Sequence, residues 1–232
     1  MKFIIYLFCL IFSLFLRAYD ENDLTTLKKT KKCENCDLAN ANLSKLDLSN
    51  AELSGSNLSL ANLTNTNFFK ADLSYSSLVN SKIYIANLDF ANLEGANLTE
   101  ARLNGASLRG ANLIDATLIS TVLSKSKLDE IILDGANLKY TKFRGADLQK
   151  AKFNGSILSF TDFSAADLTE AEMIALDLTN SVFTSAKLDE VNFMNTNVSG
   201  MNFAKFRLTK ANFVNSITCN TIFPWGEAIE KC

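Results

Sequence analysis

The sequence predicts a repeat solenoid, a closed coil that buries one residue in five, and three observations carry that expectation. From Leu38 to Phe213, stepping by five with no insertion, each of 36 consecutive positions holds a large apolar residue. Two residues before each stop sits a small residue, Ala in 18 units, and the residue between them is Asp or Asn in 20. The composition carries the same bias, with one proline, no histidine and 17 phenylalanines among 232 residues, as repetition produces.

A period of five matches neither the α-helix nor the β-strand, so the apolar stops cannot line one face of either element. If each unit forms one side of a square coil, four units make a 20-residue turn and every large stop points inward. The small residue then fits beside the corner, and the Asp or Asn points out, where its side chain bonds nearby backbone. Residues 20 apart should stack: Phe143, Phe163, Phe183, Phe203 and Phe223 form one column, and Phe153, Met173, Phe193 and Phe213 form a second on the opposite face. Bulky residues in the small slot, namely Leu46, Ile131, Leu176, Val191, Met201 and Phe206, should widen or distort their coils.

Units such as Ala91-Asn92-Leu93-Glu94-Gly95 resemble the pentapeptide-repeat family, whose unit reads A-[DN]-L-x-x, over about residues 33–223. The resemblance implies an all-β fold, a right-handed quadrilateral β-helix of about nine coils. At the ladder spacing of ~4.8 Å that makes a rod of roughly 43 Å.

Each end has its own signature. Residues 1–18 carry Lys2, an apolar run from Phe3 to Leu16 and a cleavage site after Ala18, the layout of a secretory signal peptide. This run of 14 positions, apolar except at Ser13, is too short for a permanent span. Export to the periplasm or the extracellular space is therefore expected, with no stable membrane span once the segment is removed. Loss of Lys2 and Arg17 would leave 21 basic and 25 acidic residues, a net charge of −4, which implies no strong electrostatic partner. Residues 19–32 read as a short cap helix and linker, with Asn22 or Asp23 as N-cap and Leu24 and Leu27 facing the first coil. The lysines at 28, 29, 31 and 32 read as a solvated surface rather than a site for anionic lipid or nucleic acid. The repeat is assigned to residues 33–217 and a C-terminal cap to 218–232.

Four cysteines remain after export, an even count consistent with two disulfides in an oxidising compartment. Cys33 and Cys36 fall at inward registers and would staple the first coil; Cys219 and Cys232 bracket the tail, which holds Pro224 and Trp225. This Cys-Asn-Thr tail closed by a final cysteine, like the Cys33/Cys36 start, is similar to the caps of exported members of the family. The alternatives for Cys33-Glu34-Asn35-Cys36 are a redox-active pair or half of a zinc site. No βαβ context surrounds the pair, and by the ladder spacing the other two cysteines lie ~43 Å away.

Catalysis lacks its usual parts. Without histidine the commonest general base and metal ligand is missing. Asp129-Glu130 and Asp189-Glu190 sit in adjacent outward slots, expected to be hydrated and unperturbed. The recurring glycines at 95, 105, 110, 135, 145 and 155 close units and cradle no phosphate. Asn-x-Ser/Thr triplets such as Asn57-Leu58-Ser59 are generated by the repeat. No cofactor, metal or nucleic-acid partner is implied, and neither the ligand nor the oligomeric state is specified.

Some outward slots are unexpectedly apolar. Phe69 with Phe90, and Tyr140 with Phe160, should meet on adjacent coils and are the candidate contact surface. Three functions compete. The first is a non-catalytic exported scaffold or protein-interaction module. The second, implied by family members that mimic duplex DNA and bind type II topoisomerases, requires a cytoplasmic, strongly negative rod, which this chain is not expected to be. The third is a C-x-x-C redox protein.

Overall fold

The computed structural model describes residues 19–225, 228 and 229. The export segment at 1–18 and Cys232 lie outside these residues. One helix, α1 (Glu21–Thr30), precedes the repeat, and it corrects the expected cap. Asp20, with extended backbone, is the N-cap, its carboxylate accepting from the N–H groups of Asn22 and Asp23. Asp23 instead reaches the first coil, where its carboxylate accepts the Asp37 N–H at 2.8 Å. Leu27 is fully buried and Leu24 packs on the same core, so the apolar edge of α1 lies over the first coil. Two lysines of the basic run are held in ion pairs, Lys31 with Asp47 at 2.9 Å and Lys32 with Glu52 at 2.7 Å.

Beyond α1 each unit is one short extended segment and one turn. Parallel bridges join Lys32 to Glu52, Asp37 to Asn57, Asn42 to Asn62 and Asp47 to Asn67, after which the cycle repeats at Glu52 with Asp72. Partners 20 apart and bridges five apart make the coil four-sided, as the period requires. The stop residue donates forward (Leu38 N–H to Asn57 O, 2.8 Å) and the outward residue donates back (Asn57 N–H to Cys36 O, 2.8 Å). The small-slot N–H closes the corner, as Ala41 does on Leu38 O at 3.0 Å. Nearly every polar backbone group of the unit is thereby paired, so the interior can be wholly apolar.

The corner demands a left-handed residue. Every fifth residue from Asn35 to Asn220 has φ between +54° and +73°, except Asn180 and Lys205. An L-residue there costs about 1–2 kcal/mol, against about 1.5–3 kcal/mol from burying the large side chain that each unit contributes.

Outward Asn and Asp stabilise the corner as expected. Asn57 Oδ1 accepts the Ser59 N–H two residues on at 3.1 Å. Asparagines also form ladders along the rod, Asn67 donating to Asp47 at 2.9 Å and Asn87 to Asn67 at 3.1 Å. Where Ser or Thr replaces Ala in the small slot, its hydroxyl donates to a stop carbonyl, either one coil back, as Thr121 does to Leu98 at 2.7 Å, or three residues earlier in the same coil, as Ser76 does to Leu73 at 2.6 Å. No buried side-chain polar atom among the described residues lacks a partner.

The two aromatic columns face each other. Phe143, Phe163 and Phe183 stack with centroids 5.2 and 4.9 Å apart, and Phe153 meets the first two edge-on at 6.0 and 5.6 Å. The expected unbroken column is corrected at its next step. Phe203 stacks on Phe223 at 5.8 Å, but among the described residues no ring contact joins Phe183 to Phe203.

Bulky small-slot residues distort only some coils. Ile131 and Val191 are fully buried and the bridges beside them, Ile132 with Lys152 and Asn192 with Asn212, are kept. Leu46 is half-buried beside an intact bridge. Around Leu176, Met201 and Phe206, by contrast, the expected pairs Ile157–Asp177, Val182–Asn202 and Lys187–Arg207 are absent. The ladder nevertheless continues to Asn202 with Ile222, past the boundary expected at residue 217. There β1 (Thr221–Ile222) also pairs antiparallel with β2 (Ala228–Ile229).

Candidate interaction surfaces

The expected aromatic contacts form, but they do not make one surface. Tyr140 and Phe160 stack in parallel at 5.3 Å with both rings more than half exposed. Phe69 meets Phe90 edge-on at 5.9 Å, with Lys70 Nζ 5.3 Å from the Phe69 ring; Phe69 itself is only half-exposed. Phe90 and Tyr140 differ by 50 residues, which is two and a half coils, so the pairs occupy opposite corners. The Phe90 ring lies along the rod over Gly110, whose backbone leaves room for it. The buried part of the Phe90 ring is therefore coil-to-coil packing.

Cys33 and Cys36 form a disulfide, with both residues buried at the first coil as their registers require. With Asp23 they would bring three ligand atoms within 4.8 Å of one another, but the bonded sulfurs offer no thiolate to a metal. Cys219 is disulfide-bonded, and Cys232 lies outside the described residues. No helix among the described residues is long and apolar enough to cross a membrane.

The outward carboxylates are more engaged than expected. Asp129 accepts from Arg109 Nε at 3.0 Å and Asp189 from Arg207 Nε at 2.6 Å, while Glu190 pairs with Lys210 at 3.3 Å. The Arg207 guanidinium holds the Asp189 carboxyl below the usual carboxylate range, against a weaker opposing push from burial. These side chains are strung along the rod as charge ladders.

A different feature was only half visible in the sequence. Where the ladder opens, a crevice of about 870 Å³ separates residues 181–186 from 201–207. Its inner wall holds the buried rings of Phe183 and Phe203, and Met201 and Phe206 occupy slots that in most other units take Ala, Ser or Thr. Those two bulky residues were legible as misfits; that they open one face was not, because Ile131 and Val191 are equally misplaced by size and fit.

Two sequence models of one family match the chain. The first, described as Pentapeptide repeats, matches residues 32–68, 47–83, 86–124 and 118–155. The second, described as Pentapeptide repeat region, matches residues 146–223. No curated protein matches. Among solved structures, the chain is similar to HetL, a pentapeptide repeat protein involved in heterocyst differentiation regulation from the cyanobacterium Nostoc sp. strain PCC 7120. Identity is 27% over 92% of this chain and 100% of that one, with a TM-score of 0.37. It is also similar to QnrB1, a plasmid-mediated fluoroquinolone resistance protein, at 16% identity over 75% of this chain and 92% of that one, with a TM-score of 0.39. Rfr23, a pentapeptide repeat protein from the cyanobacterium Cyanothece 51142, shares 28% identity over 54% of this chain and 92% of that one, with a TM-score of 0.35.

Proposed function

We infer that this chain, which belongs to the pentapeptide-repeat family, is a non-catalytic, exported interaction module that presents the faces of a rod to a protein partner. Family membership gives the solenoid its hand, a right-handed β-helix. On this reading the rod has about nine coils, α1 caps its first coil, and the segment closed by Cys219 and Cys232 caps its last.

The observation that carries the reading is that the repeat turns many of its outward polar groups onto itself. Outward Asn and Asp residues bind the next turn and the neighbouring coil, as Asn67 does with Asp47 and Phe69. Among the described residues, eight basic residues pair with acidic ones about one coil away, as Lys187 does with Asp167 at 2.7 Å. Such a surface offers shape and backbone to a partner and has few free groups for chemistry. Export is supported by the apolar segment at 1–18 and by the disulfide in the first coil.

A tagged copy should fractionate to the periplasm or the medium and crosslink there to a protein. Retention in the cytoplasm, together with stoichiometric inhibition of gyrase supercoiling by the purified chain, would replace this reading with topoisomerase binding.

A further inference from the structure

Five backbone hydrogen bonds that the repeat calls for at and beside the crevice are missing. In regular coils Phe183 N–H would donate to Asn202 O, Ser185 N–H to Ala204 O, Asn202 N–H to Ser181 O, Leu188 N–H to Arg207 O and Arg207 N–H to Ala186 O; none of these forms. The flanking bonds do form, Phe163 N–H to Val182 O at 2.7 Å on one side and Phe203 N–H to Ile222 O at 2.6 Å on the other. Two lips of unpaired extended backbone therefore face each other, and Phe183, although only 4% exposed, leaves its N–H without a partner. The corners at Asn180 and Lys205, which bound this stretch, are the two that leave the left-handed conformation.

The chemistry of the lining narrows the occupant. No carboxylate lines the crevice, and its two charged residues are Lys205 and Arg207. Arg207 is engaged by Asp189, whereas Lys205 makes no ion pair among the described residues. The space lies within the range of real ligand pockets, and Phe183, Phe203 and Phe206 give it an apolar wall. Unpaired donors and acceptors at strand spacing, apolar pockets and a free ammonium together fit one ligand class. We propose that the crevice binds an extended peptide segment carrying a carboxylate, which pairs by main-chain hydrogen bonds with the two lips, buries alternate side chains against the phenylalanines and sets its carboxylate on Lys205. This assigns a site to the interaction module and rests on that reading.

The test uses the purified full chain, amide hydrogen exchange, and the probe acetyl-Thr-Val-Ser-Leu with a free C-terminal carboxylate. In the free protein the amides of Phe183, Asn202 and Arg207 should exchange far faster than that of Phe163, and millimolar probe should slow them. Amidating the probe's C-terminus, or substituting Lys205→Gln, should each weaken binding about tenfold. Methylating alternate backbone nitrogens of the probe should abolish it. The double substitution Met201→Ala with Phe206→Ala restores small slots and should close the ladder, giving protected Phe183 and Asn202 amides and no probe binding. The proposal fails if those amides are already protected in the free protein, if the probe slows none of them, or if the amidated probe or the double variant binds as well as the parent. Crosslinking to a partner in the cell despite such a failure would leave the interaction-module reading standing and remove only this site.

Discussion

One edge of the Tyr75 ring lies against Gly95, one coil further along the rod, so closely that a Cβ on Gly95 would sit 2.6 Å from two ring carbons. The pair shows how the exposed corners are built: a large side chain leans over the next coil, and a glycine receives it. Replacing Gly95 by Ala should destabilise the protein by about 1–2 kcal/mol from the left-handed backbone alone, plus the cost of displacing the ring. Gly155→Ala incurs the backbone cost without the clash, because nothing lies within 4 Å of its Cβ position. Thermal unfolding should rank Gly95→Ala below Gly155→Ala, and Tyr75→Ala should remove the difference. Equal losses at both sites would refute the packing role.

Ile85 is the opposite case. It is β-branched, 65% exposed, and held at φ +54°. Ile85→Asn should raise stability by about 0.5–1 kcal/mol, since Asn adopts this conformation more readily. A fall in the denaturation midpoint would mean that the contact of Ile85 with the coil bearing Gly105 outweighs the strain.

How far the sequence revealed these features depends on where the determining contact lies. The stops, the small slots and the four-sided coil were legible because one residue type recurs at one spacing, and Leu38 and Phe163 face inward as that spacing requires. The N-cap was misread as Asn22 or Asp23 because Asp20 competes within three residues, and only the contact of Asp23 with Asp37 decides between them. The stacking of Tyr140 on Phe160 followed from the 20-residue period, whereas the break between Phe183 and Phe203 depends on how two coils tolerate Met201 and Phe206.

The hydroxyl of Thr121 is fully buried and bonds Leu98 O at 2.7 Å, a carbonyl that also accepts the Ala101 N–H. Thr121→Val keeps the shape and deletes the bond, and should cost about 0.5–1.5 kcal/mol. A neutral result in chemical denaturation would show that the Ala101 bond alone satisfies that carbonyl.

Acid should weaken the late coils. Asp189 is held below the usual carboxylate range chiefly by its bond from Arg207. For Asp167, burial raises the pKa, but the bonds from Lys187 and Thr169 together outweigh it and the net shift is downward. A depressed folded-state pKa means that the stabilisation is fully present above the unfolded value of ~3.9 and is lost as pH falls through the lower folded value. Thermal scans between pH 6 and pH 2 should therefore show a steeper acid loss in the parent than in Asp189→Asn. Parallel curves would show that the pair contributes nothing to folding, as exposed pairs often do.

The most direct test of the coil itself is a pair of distances between spin labels placed in one outward column. Labels at Asn57 and Asn137 are four coils apart, and labels at Asp37 and Ile157, in the same column, are six coils apart, with every intervening bridge present. At ~4.8 Å per coil the backbone separations should be about 19 Å and about 29 Å, in the ratio of the coil numbers. Distances that do not grow by one fixed step per 20 residues would contradict the four-sided coil on which every other statement rests.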